Sequence, residues 1–222
     1  MQCTVVQDTN KCLFCGFVLE GKDILFADGE RSRGIEMNEV LQAIASRSST
    51  RKYQEKPLTK EQIELLLQAG LQAPTARNQQ EIHICVVNRN DAILEEIEAV
   101  KREFIVKIAG EKAKESLQNT LDNFYFNAPT IFIVSADKDF RWSKVDAGIC
   151  VENMAIAAEA MGLGSLIIGS IYDALYGEKK EYFSQKLHFP ENYEFAIALA
   201  VGYKDVEKTP HTFDLNKNVS FL

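Results

Sequence analysis

Residues 145–169, VDAGICVENMAIAAEAMGLGSLIIG, decide the fold that this sequence predicts. Residues 146–161 are small or apolar nearly all round, and the exceptions are Asp146, Glu152, Asn153 and Glu159. A helix with this pattern is buried on most of its sides rather than laid on a surface. Its length is about 24 Å at 1.5 Å per residue, which is too short to cross a bilayer. The sequence therefore predicts a long, buried central helix.

Glycines and a short apolar run follow this predicted helix. Gly162 and Gly164 are expected to end it, because glycine adopts the left-handed conformation of a helix end without a steric penalty. Residues 166–168 are apolar and predict a buried strand, which Gly169 closes. A core helix, a glycine turn and a core strand in succession can bring bare backbone against a flat ligand. Plain core packing accounts for the same pattern without a ligand.

Composition and charge narrow the class of protein. The chain has 222 residues, of which 46% are hydrophobic and 26% are charged, so it can bury a substantial core. The formal net charge of −7 and the lack of a long Lys/Arg run argue against nucleic-acid binding. We predict no membrane span, because no apolar run reaches about 18 residues, and the first residues lack the apolar core of a secretory signal. Five cysteines, an odd number, suit free thiols in a reducing cytoplasm.

Residues 1–36 differ from the rest and are predicted to be an N-terminal extension. Within KCLFCGFVLEG, residues 11–21, Cys12 and Cys15 resemble the first metal-binding knuckle of a rubredoxin. A tetrahedral metal site needs four ligands, and only Cys3 offers a third in this segment. We therefore predict no metal site, and a degenerate half rubredoxin or a leader instead. A polar linker over residues 26–34 would then lead into a compact domain over residues 37–222.

A basic segment and an amide-rich loop carry the polar side chains of most interest. Residues 47–52, RSSTRK, place three cations and three hydroxyls together, which suits a phosphate but also a solvated helix end. Thr59 and Gln62 predict a capping box for the next helix. The loop PTARNQQ, residues 74–80, separates that helix from a predicted strand. Its amides can bind the mixed polar edge of a heterocycle, although polar loops are also the default.

The remaining pattern predicts alternating elements and no self-contained catalytic apparatus. Helices are predicted over residues 38–46, 90–107, 111–126 and 173–187, and strands over residues 82–87, 130–135 and 195–201. Dinucleotide, Walker and nucleophile-elbow motifs do not occur, and the three histidines are far apart in sequence. Cys150 lies on the predicted buried helix, where a thiol is expected to be inert. Any chemistry is therefore expected to belong to a bound cofactor, and no side chain is predicted to be catalytic.

Three of these segments together resemble the FMN-dependent nitroreductase family. They are RSSTR at residues 47–51, PTARNQQ at 74–80 and GLGSLIIG at 162–169, and the resemblance covers about residues 37–203. It implies an α+β, three-layer fold in which helices flank a central, mainly antiparallel sheet and one long central helix is buried. It also implies a homodimer with FMN bound at the interface between the subunits.

The same resemblance implies which residues bind FMN and what reaction follows. Phosphate would contact the basic segment, the amides would contact the polar edge of the flavin, and backbone would approach its hydride-accepting nitrogen. The implied phosphate contacts are Arg47, Ser49 and Arg51, with Ser48 contributing through its backbone. The implied contacts to the polar edge are Asn78 and Gln80, and the implied backbone contacts are Ile168 and Gly169. The implied reaction is ping-pong hydride transfer from NAD(P)H to a small-molecule acceptor such as a nitroaromatic or quinone.

Two departures and two alternatives accompany this interpretation. The family often has Pro-Trp where this chain has Glu81-Ile82. A C-terminal basic residue often completes the phosphate site, and Lys204, Lys208 or His211 could take that place here. One alternative is a flavin-binding member of the fold with another activity, either flavin breakdown or reductive dehalogenation. The other alternative is a non-enzymatic interaction protein.

Overall fold

The computed structural model describes residues 18–20, 23–25, 31–36, 38–110, 117 and 123–222, and only the backbone for the first three ranges. The chain divides into two compact units, residues 1–46 with 209–222, and residues 47–208. The boundary at Met37 between an extension and a compact domain stays a prediction. Cys3, Cys12 and Cys15 lie outside the described residues.

Three strands come first among the described residues, and helices and strands are interspersed after them. The helices are α1 (Glu39–Ser46), α2 (Lys60–Leu71), α3 (Ala92–Ala109), α4 (Ser143–Ala160), α5 (Tyr172–Tyr176), α6 (Lys180–Lys186) and α7 (Leu215–Asn218), with a 3-10 turn at Ala76–Asn78. The strands are β1 (Val18–Glu20), β2 (Asp23–Leu25), β3 (Arg31–Glu36), β4 (Ile82–Asn88), β5 (Thr130–Asp137), β6 (Leu163–Ile168) and β7 (Tyr193–Tyr203). None of the described helices is long and apolar enough to cross a membrane.

A four-stranded antiparallel sheet organises the unit of residues 47–208. Its strand order is β4-β5-β7-β6, so β5 and β7 are central and β6 lies at an edge. Successive side chains of β5 point to opposite faces, as a pleated strand requires. Ile131 and Ile133 join the core cluster that includes α3 and α5, whereas Phe132 and Val134 join the cluster that includes α4. Helices therefore cover both faces, and the predicted three-layer α+β fold is confirmed.

The central helix α4 is long and buried along its inner side, as predicted. Ala147, Cys150 and Met154 have no exposed surface and pack in the core cluster that faces α2 and the sheet. The opposite side is different, because Val145 is 51% exposed and Ile149 is 37% exposed. Within one chain this helix therefore has an uncovered apolar strip.

The end of α4 was predicted correctly, but Gly164 was assigned to the end of the helix and lies elsewhere. Gly162 has a positive φ of 72° directly after the helix, which is the expected left-handed position. Gly164 does not end the helix, because β6 begins at Leu163 and Gly164 lies inside this strand. The strand is therefore longer than residues 166–168.

Two other predicted elements are corrected. The helix predicted over residues 173–187 is broken by Gly177 into α5 and α6. The helix predicted over 111–126 does not reach its expected end, because residues 123–126 form a turn. Asn123 causes this turn, since its Oδ1 accepts hydrogen bonds from the N–H groups of Tyr125 at 3.1 Å and Asn127 at 3.0 Å. Most of residues 111–122 lie outside the described residues.

Of two other local predictions, the capping box is confirmed and the linker is partly wrong. The capping box of α2 is present, because Thr59 Oγ1 accepts from the N–H of Gln62 and Gln62 Oε1 accepts from the N–H of Thr59. The polar linker predicted over residues 26–34 is partly wrong, since residues 31–34 belong to β3. Residues 26–30 lie outside the described residues.

Candidate flavin site

The basic segment runs along the open edge of β6. Ser49 forms a parallel bridge with Ser165, and the N–H of Thr50 donates to the carbonyl of Ser165 at 2.9 Å. A few residues later, the N–H of Gln54 donates to the carbonyl of Tyr203 on β7 at 2.9 Å. The structure therefore brings two of the three predicted segments, residues 47–51 and 162–169, into direct backbone contact.

Gly164 permits this contact. A Cβ atom at Gly164 would lie 2.5 Å from Oγ1 and 2.7 Å from Cγ2 of Thr50, whose side chain is buried. Such distances are far below van der Waals contact, so only glycine lets the segment approach β6 this closely.

We expect Gly164→Ala to lower the free energy of unfolding by about 1–3 kcal/mol, because the added methyl group overpacks a closed contact. Urea unfolding measures this loss. The double variant Gly164→Ala/Thr50→Ala removes the two nearest atoms and should be more stable than Gly164→Ala alone. Equal stability of the wild type and Gly164→Ala would show that the segment can move away from β6 without loss.

The side chains of the basic segment have defined neighbours. Arg47 is 20% exposed at its side chain, and its Nε lies 3.7 Å from Oε1 of Glu152 on α4. The hydroxyl of Ser48 donates to the carbonyl of Lys208 at 3.4 Å. In turn, Nζ of Lys208 donates to the carbonyl of Ser49 at 3.4 Å. Ser48, Ser49 and Lys208 therefore form one polar cluster, and Arg47 precedes it directly in the sequence.

The three basic residues that could complete the phosphate site, Lys204, Lys208 and His211, differ in their surroundings. Lys208 contacts the basic segment, as described above. Lys204 instead donates to Oε1 of Glu159 at 2.8 Å. His211 belongs to the other compact unit. Lys208 is therefore the best candidate for completing an anion site with Arg47.

Arg51 points to a different neighbour from Arg47. Its guanidinium carbon lies 5.8 Å from the centre of the Phe126 ring, within the range of a cation–π contact. Phe126 itself has a positive φ of 52°, at the turn that ends before β5. The structure thus ties Arg51 to this turn, and its place in a phosphate site stays a prediction.

The amide loop adopts an unusual backbone. Arg77, Asn78 and Gln80 have positive φ values of 59°, 55° and 59°, which non-glycine residues rarely adopt. Thr75 supports this shape, because its Oγ1 accepts from the N–H of Gln80 at 3.0 Å. The side chains of Asn78 and Gln80 are exposed and free to meet a ligand. Strained backbone of this kind clusters at ligand clamps and switch regions.

Asp146 fixes the amide loop to the start of α4. Its Oδ2 accepts from the N–H of Ala76 at 3.0 Å, and the residue is only 4% exposed. In the sequence, Asp146 is visible only as an interruption of an apolar helix, and its contact with the loop was not predicted. A lone acid at the buried start of a helix was the available signal, but its partner lies 70 residues away.

The third predicted segment contributes the backbone at the C-terminal end of β6. Because Ser165 bonds outward to Thr50, the alternation of an antiparallel strand turns the backbone of Ile167 to the same open edge and that of Ile168 toward β7. Ile167 is 39% exposed, Ile168 is 3% exposed, and Gly169 is exposed beyond the strand. Ile167 therefore joins Gly169 as a candidate backbone contact, and Ile168 stays a prediction.

Helix α4 links the basic segment to the amide loop. Glu152 of α4 contacts Arg47, whereas Asp146 holds the loop. These two positions are about 9 Å apart along the helix axis. The basic segment and the amide loop therefore both contact the first half of α4, and the basic segment also contacts β6.

Other features of the structure lie away from these segments. A cavity of about 350 Å³ lies between α3 and the turn before β5, and its lining includes Arg89, Glu98 and Tyr125. It contains no residue of the three segments. Burial raises the pKa of the Cys150 thiol to about 11, so this cysteine stays protonated and inert, as predicted.

A sequence model of the nitroreductase family matches residues 44–203. The chain belongs to the nitroreductase family. All three segments described above lie within the matched range. The resemblance inferred from those segments is therefore confirmed.

Individual members of the nitroreductase family support this assignment. A protein of Archaeoglobus fulgidus, provisionally named NADH dehydrogenase/NAD(P)H nitroreductase, is 28% identical over 178 residues, which cover 78% of this chain and 89% of the relative. The NADPH-flavin oxidoreductase of Vibrio harveyi is 26% identical over 76% of this chain and 67% of its own length. The FMN-bound nitroreductase of Desulfitobacterium hafniense superposes with a TM-score of 0.75 and 27% identity, covering 84% of this chain and 99% of that structure.

For this family member, we expect Asp146→Ala to release the amide loop. The free energy of unfolding should fall by about 1–3 kcal/mol, because a partly buried N–H loses its acceptor, and FMN affinity should fall with it. Asp146→Asn keeps an acceptor oxygen and should recover most of both losses. Urea unfolding and FMN titration measure the two quantities. Lower stability with unchanged FMN affinity would exclude the loop from the site.

Proposed function

We propose that this protein is an FMN-dependent oxidoreductase that transfers hydride from NAD(P)H to planar acceptors such as nitroaromatics and quinones. Its membership of the nitroreductase family and its similarity to NAD(P)H-dependent flavin oxidoreductases support the activity. The observation that carries the proposal is the backbone contact between Thr50 and Ser165, because it joins a cationic segment to the open edge of β6.

The donor groups of the site fit FMN. Arg47 and Lys208 supply cations, the Ser49 hydroxyl supplies a donor and Ser48 would add its backbone N–H, a set that suits a phosphate dianion. Arg51 is proposed to add a second guanidinium to this set. The amides of Asn78 and Gln80 would meet the polar edge of the ring system, because they both donate and accept hydrogen bonds. Backbone at the end of β6 would contact the central ring.

When bound, FMN supplies the redox chemistry by accepting a hydride from NAD(P)H and passing it to the acceptor. For a quinone the reaction is balanced as NAD(P)H, one proton and quinone giving NAD(P)⁺ and hydroquinone. The protein binds and orients the reactants, and N–H groups at Ile167 or Gly169 would stabilise negative charge that arrives with the hydride. Because NAD(P)H and the electron acceptor would bind in turn over the same open face of the flavin, we propose a ping-pong mechanism.

We also propose that the protein works as a homodimer in the cytoplasm. Val145 and Ile149 form an exposed apolar strip on a helix whose inner side is buried, and a second copy of the chain would cover it. The thiols of Cys85 and Cys150 are free, which suits a reducing compartment. Residues 1–36 are proposed to be an extension of a catalytic domain over residues 37–222.

The absorbance spectrum of the purified full-length protein tests the proposed cofactor, and steady-state kinetics test the reaction. We expect bound or reconstitutable FMN, and NAD(P)H oxidation that depends on menadione or nitrofurazone. Parallel lines in double-reciprocal plots are expected for a ping-pong mechanism. Protein that cannot be loaded with FMN would contradict the proposal. Breakdown of the flavin, or loss of halide from a halogenated substrate, would instead indicate another activity of this fold.

A further inference from the structure

A stacked pair of tyrosines follows directly after the end of β6. The N–H of Tyr172 donates to the carbonyl of Gly169 at 3.0 Å, so α5 begins where the proposed flavin contact ends. The rings of Tyr172 and Tyr176 stack with centres 4.3 Å apart and planes inclined by 18°. Tyr172 is 41% exposed. An accessible aromatic ring therefore lies next to the proposed redox centre.

Charged groups hold the inner ring of this pair. Nζ of Lys180 lies 4.7 Å and Nζ of Lys144 lies 5.3 Å from the centre of the Tyr176 ring. Glu194, which is 6% exposed, binds both lysines, at 2.9 Å from Lys144 and 3.5 Å from Lys180. Tyr176 is therefore enclosed by Tyr172 and two lysines, and Tyr172 is the outer ring of the stack.

The backbone that carries the stack is anchored on its other side. Asp173 forms an ion pair with the buried Lys101 of α3. Ala174 and Leu175 are buried in the core cluster that includes α3 and α5. A ring on a fixed short helix loses little conformational freedom when a ligand stacks on it, which favours binding.

We propose that Tyr172, stacked on Tyr176, is the platform on which the flat ring of the electron acceptor lies. Stacking on an aromatic face favours planar, electron-poor rings, and quinones and nitroaromatics are such rings. Lys144 is 54% exposed at its side chain and lies two residues from Asp146, the anchor of the amide loop. Its ammonium group would attract the partly negative oxygen atoms of quinone or nitro substituents. This inference rests on the proposed function.

The test compares Tyr172→Ala, Tyr172→Phe and Tyr182→Ala in the FMN-loaded full-length enzyme. Tyr182 is a matched control, because it is 40% exposed and its hydroxyl binds Glu96 on α3, outside the stack. Each variant is assayed for FMN content, for KM with menadione, and for NAD(P)H oxidation with ferricyanide. Ferricyanide is not a planar ring, so its reduction rate at saturating NAD(P)H reports the flavin and hydride donation without the platform.

We expect Tyr172→Ala to raise the KM for menadione about three- to tenfold, and to leave FMN content and the ferricyanide rate unchanged. Tyr172→Phe keeps the ring and should keep the wild-type KM, as should Tyr182→Ala. An unchanged KM in Tyr172→Ala would overturn the inference, and so would an equal rise in either comparison variant. Loss of FMN or of the ferricyanide rate in Tyr172→Ala would also overturn it. Wild-type protein without FMN-dependent ferricyanide reduction would instead contradict the proposed function, and the inference with it.

Discussion

Arg47→Ala is expected to weaken FMN binding by about tenfold to a hundredfold. A charge-assisted hydrogen bond to the phosphate contributes about 1.5–3 kcal/mol, and about 1.4 kcal/mol corresponds to a factor of ten in Kd. Arg47 can supply such a bond, because its side chain is 20% exposed and meets Glu152 only at 3.7 Å. A phosphate dianion would compete with this half-exposed carboxylate for the guanidinium group.

Two further variants make the prediction specific. Glu152→Gln removes the competing charge and should leave FMN affinity unchanged or increase it. Arg141→Ala removes the same charge from an arginine that lies over the Trp142 ring, outside the basic segment, and should have no effect on FMN affinity. Kd is measured by quenching of flavin fluorescence on apoprotein, with urea unfolding of each variant as a control for folding. Wild-type affinity in Arg47→Ala would show that other groups hold the phosphate.

The fold could be predicted to a large extent because its main signals are local. The apolar residues of α4 recur within one helix, and the two residues of the capping box, Thr59 and Gln62, are three positions apart. Such patterns follow from helix geometry alone. The split between α5 and α6 at Gly177 was missed, because one helix was predicted across residues 173–187.

The site could be predicted only in outline because its geometry depends on distant residues. The importance of Gly164 comes from Thr50, and that of Asp146 comes from Ala76, so neither can be seen from neighbours in sequence. Lys208 could be separated from Lys204 only when their partners, Ser49 and Glu159, were known. The sequence supplied the residue types of an anion and ring site, and the tertiary contacts decide which of them meet.

Ile149→Asp is expected to dissociate the proposed homodimer and to release FMN with it. Ile149 and Val145 lie one turn apart on α4, and a Cβ at Gly148 between them would meet no atom within 4 Å. The strip thus allows close approach of a second helix. A carboxylate buried there without a partner costs about 3–5 kcal/mol, which would raise the dimer Kd more than a hundredfold.

The position of Ile149 separates loss of assembly from loss of folding. It is 37% exposed within one chain, so a charge there is tolerated by the isolated subunit but not by a covered interface. Ile108→Asp is the matched control, because Ile108 is 69% exposed near the end of α3, away from the strip. Sedimentation velocity at micromolar concentration should give half the mass for Ile149→Asp and an unchanged mass for Ile108→Asp, with circular dichroism unchanged in both. A wild-type monomer that binds FMN, or an Ile149→Asp variant that stays dimeric, would show that this strip does not pair two subunits and that the flavin is held within one chain or through another surface.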